Sequence, residues 1–134
     1  ASYKISIPKL KISDAVVSTF DNDLSQHLVQ YGGTTVPPEK GTAVIYGHST
    51  LPQLYKEGDY KTIFANIHQL TTGDDIIVTV NGKTYIYKVQ SVSITDPSDT
   101  SFFQQNFDGN YLTLVSCTPP GTTWKRLIIK TKMQ

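Results

Sequence analysis

The chain has one cysteine, Cys117, at the end of a strand-like run, Tyr111-Leu112-Thr113-Leu114-Val115-Ser116-Cys117. A lone thiol cannot form an internal disulfide, so it serves either packing or chemistry. Unpaired cysteines are commonly small buried hydrophobes. Cys117 differs in adjoining a Pro/Gly-containing turn, where a side chain can face a cleft. The thiolate is the nucleophilic form of cysteine, and a nearby cation favours it. Arg126 opens the next strand-like run nine residues on. If the two runs form a hairpin symmetric about its turn, Cys117 and Arg126 stand directly opposite, with Cβ atoms about 4.5–5.5 Å apart. A slip of one residue would turn Arg126 to the other face.

A thiol nucleophile also needs a partner that handles protons, and the chain offers three histidines. His27 falls within a predicted helix beside Leu28, on its solvent flank. His68 follows Ile67 in a short helical turn and is expected at the surface or as a cap. His48 stands between Gly47 and Ser49 at an abrupt strand exit, where glycine leaves the backbone free to turn; its alternative is a satisfied structural histidine. Arg126 has two readings as well. Beside Trp124 and Lys125 it reads as a solvated edge charge or a cation stacked on a ring. As a fixed donor it would stabilise the oxyanion formed when a thiolate attacks an amide carbonyl. No carboxylate is placed by sequence to orient His48, so a Cys-His-Arg set is better supported than a triad with an acid. One Cys and three scattered His show no metal-ligand spacing, and no cofactor is expected.

These groups must be held by a β-rich frame. Residues 3–7 read as a strand stopped at Pro8, and residues 15–17 as a second. Asp21 or Asn22 would cap a short helix with Leu24 and Leu28 four apart, ended by Gly32-Gly33. Residues 34–40, with Pro37-Pro38, form a loop, and residues 42–46 a strand leading to Gly47-His48-Ser49. Within 51–70 a polar loop precedes a helical turn that faces Ile63, Phe64 and Ile67 inward. Residues 76–80 and 83–89 flank Asn81-Gly82, the pair suited to a type I′ hairpin turn, and the second strand extends towards Ile94. A long loop over 96–110, bounded by Pro97 and Asp108-Gly109, precedes the last two strands, 111–117 and 124–131, around Pro119-Pro120-Gly121. Seven or eight short strands with little helix point to a closed or nearly closed barrel.

Composition agrees. At 134 residues the chain is expected to be one domain that buries roughly two-thirds of its unfolded surface. Charged residues are 17% against about 25% in typical domains, while abundant Thr and Ser and eight Tyr favour strands. A net charge of +1 gives no reason to expect a nucleic-acid partner. No apolar run approaches the roughly 18 residues that span a bilayer, and the start, ASYKISIPK, is not a signal peptide. The chain is therefore expected to be soluble, with an upstream anchor or export signal left open. The missing disulfides are compatible with oxidising and reducing compartments alike.

At the residues that carry the chemistry the chain resembles a sortase. The family signature Thr-Leu-x-Thr-Cys matches Thr113-Leu114-Val115-Ser116-Cys117 except at Ser116. A hydrophobic strand followed by Gly-His matches Ala43-Val44-Ile45-Tyr46-Gly47-His48, and the arginine of the following strand matches Arg126 in Trp124-Lys125-Arg126-Leu127-Ile128-Ile129. Weaker echoes are Ile5-Ser6-Ile7-Pro8-Lys9-Leu10, Leu70-Thr71-Thr72-Gly73-Asp74 and Tyr85-Ile86-Tyr87-Lys88-Val89, all in family order.

The resemblance implies a mostly β fold, a closed eight-stranded barrel with one or two short helices, and one catalytic domain over 1–134. It implies a cysteine transpeptidase at the extracellular face of the bacterial membrane, which cuts a Leu-Pro-x-Thr-Gly-like signal and passes the acyl group to an amine. Cys117 would be the nucleophile, His48 its cationic partner and proton carrier, and Arg126 the holder of substrate and oxyanion. Substrate contacts would fall to Ser116, Thr118, Ile94 and Pro97, with Ser116 bonding near the oxyanion. Partners would be surface proteins or pilins bearing sorting signals, with a cell-wall precursor or pilin lysine as acceptor. Any membrane contact would come through a segment outside this chain. The turn Cys117-Thr118-Pro119-Pro120-Gly121 resembles pilin-polymerising or other non-class-A members, although their N-terminal lid is not visible here. Calcium, used by some members, finds no acidic cluster. Two other readings are a catalytically silent barrel that binds surface polypeptides and an L,D-transpeptidase. The latter has His-Gly-Cys close in sequence, whereas His48 and Cys117 are 69 residues apart.

Overall fold

A computed structural model describes residues 2–32, 34–103, 105, 107–118 and 124–134. Eight strands close into a barrel: β1 (Ser2–Ile7), β2 (Ile12–Ser18), β3 (Leu28–Gln30), β4 (Gly41–Tyr46), β5 (Asp75–Val80), β6 (Lys83–Thr95), β7 (Asn110–Thr118) and β8 (Lys125–Met133). Around the barrel the order is β1-β2-β3-β4-β7-β8-β6-β5, with β5 returning to β1. Helical structure among the described residues is confined to three-residue 3-10 turns at Pro8–Leu10, Pro52–Leu54, Tyr60–Thr62, Ile67–Gln69 and Ser101–Phe103. No helix among them is long and apolar enough to cross a membrane.

Strand alternation builds the interior. Tyr3, Ile5 and Ile7 of β1 meet Ile76 and Val78 of β5, Leu112 and Leu114 of β7, and Leu127 and Ile129 of β8 in one buried cluster. The 3-10 turn at Ile67–Gln69 adds Ile67, with Ile63 and Phe64 just before it, as the sequence suggests. β4 and β7 run parallel at the centre, and Gly41–Ile45 of β4 is buried throughout. Strands covered on both faces read as continuous apolar runs. The second cover lies outside the barrel, where Phe102 from the 96–110 segment closes over Val44, Val115 and Ile128. Gln105 fixes this segment: its amide oxygen accepts the Thr42 N–H and its amide nitrogen donates to the Thr42 carbonyl, each at 2.9 Å.

The Asn81-Gly82 hairpin forms as expected, with φ of 51° and 77° at the two turn residues and Val80 paired to Lys83. β6 continues past Ile94 to Thr95. The helix expected after Asp21 does not form. Asp21 accepts the Asp23 N–H and Asp23 accepts the Ser25 N–H, side-chain bonds that compete with a helical backbone. Leu28 then enters β3, which bridges β2 and β4 and buries Leu28, Val29 and Gln30 together. Barrel closure thus overrides the Leu24/Leu28 spacing. The expected stop at Gly33 and the turn residues Pro119, Pro120 and Gly121 lie outside the described residues.

The barrel interior predicts a contrast in stability. Leu114→Ala, at a position with no exposure, should cost about 2–5 kcal/mol. Ile94→Ala, at 62% exposure, should stay within about 0.5 kcal/mol. Urea denaturation of the two variants measures both.

Candidate active site

The last hairpin has the symmetric register. Cys117 pairs with Arg126 and Thr118 with Lys125 across β7 and β8. Arg126 Nη1 lies 3.6 Å from Cys117 Sγ and 3.4 Å from the Lys125 carbonyl oxygen. The guanidinium therefore stands within hydrogen-bonding reach of the only thiol, which is partly exposed.

His48 comes to the same face through the other neighbour of β7. The parallel β4/β7 register is constant, from Gly41 opposite Asn110 to Tyr46 opposite Val115. Extended two residues beyond the strand end, it sets His48 level with Cys117. Three hydrogen bonds carry the alignment past the strand. Gly47 N–H donates to the Val115 carbonyl at 3.3 Å, Ser116 Oγ to the Gly47 carbonyl at 3.0 Å, and Ser49 Oγ to the Cys117 carbonyl at 3.0 Å. The His48 carbonyl accepts the Phe64 N–H at 2.9 Å, while the residue itself is exposed.

Gly47 is needed for space rather than for an unusual φ. A Cβ there would meet the Phe64 ring at 2.5 Å and the Leu28 side chain at 2.6 Å. The other histidines lie elsewhere. His27 sits 2.9 Å from Asp21 and 2.9 Å from the Leu28 carbonyl, and His68 is exposed on its 3-10 turn.

Beside Arg126 lies a groove of about 730 Å³ whose lining includes Leu24, Tyr31, Tyr46, Pro97, Phe102 and Phe103. The aromatic rings pack on one another: Tyr31 lies 4.4 Å from Phe103 and 5.1 Å from Tyr46, and Phe102 lies 4.3 Å from Phe103, between centroids. Burial raises the Tyr46 phenol above its ordinary value; Tyr31 adds to the shift and Arg126 opposes it. Tyr46 thus remains a neutral O–H donor at neutral pH. Asp23, on the segment before β3, is held below the usual carboxylate range, first by bonds from Ser25 and least by the charge of His48.

Of the four residues expected to touch substrate, Pro97 lines the groove. Ser116, Thr118 and Ile94 do not, because successive strand residues point to opposite faces. Ser116 and Thr118 are buried on the side away from the Cys117 thiol, and the Ser116 hydroxyl serves the Gly47 carbonyl rather than an oxyanion. Ile94 pairs with inward-facing Leu127 and projects into solvent at the barrel edge. The groove aromatics are the residues that sequence reasoning missed. Their signals were Tyr46, on the same strand face as His48, and the Phe102-Phe103 pair within a polar loop.

Residues 5–134 match the Sortase domain family. The chain belongs to the sortase family. It is 30% identical to sortase SrtE1 of Streptomyces coelicolor, over 96% of this chain and 39% of that protein. It is 27% identical to sortase D of Bacillus subtilis, over 96% of this chain and 62% of that protein. It therefore spans less than two-thirds of either relative. A sortase D5 transpeptidase of Clostridium perfringens superposes with a TM-score of 0.80 at 28% identity, over 99% of this chain and 78% of that one.

In this sortase the link between the β4 exit and β7 predicts two graded losses. Gly47→Ala should destabilise by about 1–3 kcal/mol through overpacking against Phe64 and Leu28. Ser116→Ala should cost about 1 kcal/mol by leaving the buried Gly47 carbonyl without its donor. Thermal unfolding of both variants checks the ranking.

Proposed function

We propose that this sortase is a cysteine transpeptidase in which residues 1–134 act as one catalytic domain. The observation that carries the reading is the Arg126 contact to the Cys117 sulfur, on the barrel face where the β4/β7 register also brings His48. The Cys117 thiolate attacks the carbonyl carbon of the threonine in a Leu-Pro-x-Thr-Gly-like signal. The carbonyl oxygen becomes an oxyanion beside the Arg126 guanidinium, a donor suited to the charge that develops there. The C–N bond then breaks, and His48 gives a proton to the leaving glycine amine. The product is a thioester on Cys117. An incoming amine loses its proton to His48 and attacks the thioester, so that a new amide forms and the thiolate is released. Water in place of the amine gives hydrolysis as a side reaction.

The aromatic groove supports a substrate with apolar residues ahead of the scissile bond, because Leu and Pro side chains bury well against Tyr31, Tyr46 and Phe103. On this reading the donors are surface proteins or pilins carrying sorting signals, and the acceptor is a cell-wall precursor amine or a pilin lysine. The site of action is the extracellular face of the bacterial membrane.

Incubation with sorting-signal peptides and amine acceptors, analysed by mass spectrometry, tests this. The wild type should release the C-terminal fragment and join the remainder to the amine. Cys117→Ala should abolish both events with the fold intact. His48→Ala should lose roughly 10²–10⁴-fold in rate, and Arg126→Ala roughly 10²–10³-fold. Normal turnover by Cys117→Ala would end the proposal.

A further inference from the structure

Thr95 Oγ1 is the buried side-chain polar atom among the described residues that has no hydrogen-bond partner. Native structures keep few such atoms, because a desolvated hydroxyl without a partner is unfavourable. Its location is specific. Thr95 pairs directly with Arg126 across β6 and β8, and Arg126 pairs directly with Cys117 across β8 and β7. Hydroxyl, guanidinium and thiol therefore occupy one rung of three adjacent strands and share one face. The adjoining carboxylate, Asp96, is held in an ion pair by Lys125. It is thus committed to a different cation on the next rung.

The Arg126 guanidinium has five N–H donors in a rigid fork, and Nη1 is directed at the Cys117 sulfur and the Lys125 carbonyl. On the reading given above, acylation converts that sulfur from thiolate to thioester, a far weaker acceptor. One contact of the guanidinium thus weakens at the step where its donors must face the acyl oxygen. An unused acceptor on the same rung is then available from the opposite strand.

We propose that Thr95 is a positioning residue for Arg126: as the Cys117 sulfur gives up its charge to the incoming acyl group, the Thr95 hydroxyl accepts an N–H of the guanidinium and keeps the fork aimed at the acyl carbonyl during acylation and in the thioester. The inference rests on Cys117 being the nucleophile, but the positioning can be tested without turnover. The Cys117 thiol of the full chain is capped with methyl methanethiosulfonate, and the mobility of the Arg126 Nε–H is followed by ¹⁵N relaxation. The guanidinium should stay ordered in wild type and Thr95→Ser and become mobile in Thr95→Val. Equal mobility in all three proteins would overturn the proposal.

Single-turnover acylation by a sorting-signal peptide provides the second readout. Thr95→Val should acylate about tenfold more slowly or worse, consistent with loss of a hydrogen bond to a charged group. Thr95→Ser should remain close to wild type. The melting temperature of Thr95→Val should be unchanged or raised, because the substitution removes an unpartnered hydroxyl and keeps the shape. A slow Thr95→Val with a lowered melting temperature, not rescued by serine, would assign Thr95 to packing and reject the proposal. Absent acylation in the wild type, together with Thr95-dependent order of Arg126, would reject the transpeptidase reading and uphold the positioning.

Discussion

The parallel pairing of β4 with β7 is the constraint on which the site depends. Its register holds without a shift from Gly41 opposite Asn110 to Tyr46 opposite Val115. Residues far apart in the chain thereby reach the same level at the same end of the barrel. Past the strand end one backbone bond, from the Gly47 N–H to the Val115 carbonyl, continues it. The Ser116 and Ser49 hydroxyls extend it by two residues, each bonding to a carbonyl of the opposite segment. Gly47 permits this close approach, because Phe64 and Leu28 fill the volume a side chain would occupy. Ser116 is therefore a structural neighbour of Cys117. It acts through the β4 exit, and its hydroxyl has no view of the groove.

The outer face of the barrel combines packing with access. Val44, Val115 and Ile128 are sealed under Phe102, whereas the next positions along the same strand faces, Tyr46, Cys117 and Arg126, lie at or beside the groove. The 96–110 segment does both jobs. Gln105 clamps it to β4, and Phe102 and Phe103 form part of the groove wall. The shape of the groove and the stability of the barrel are consequently linked through one loop, and changes at Phe102 would alter both.

Much of this was legible in the sequence where local chemistry and tertiary pairing agree. Asn81-Gly82 dictated its hairpin, and symmetry about the last turn correctly opposed Cys117 to Arg126. His48 was separated from His27 and His68 by its Gly-His-Ser setting. The segment after Asp21 was misread because Leu24 and Leu28 fit a helical period, while Asx bonds and barrel closure favour turns and a strand. Strand alternation, applied at Cys117 and Arg126, also turns Ser116, Thr118 and Ile94 away from the thiol face. The groove aromatics were missed because they come from three separate segments that only the folded barrel assembles.

In the proposed reaction Cys117 carries the acyl group. Rapid quenching of the wild type during reaction with a sorting-signal peptide, followed by intact-mass analysis and peptide mapping, tests it most directly. An adduct equal to the peptide up to its threonine should appear, attached to Cys117 through a bond that hydroxylamine cleaves. Peptide cleavage with no adduct on Cys117, or with the adduct on another residue, would contradict it.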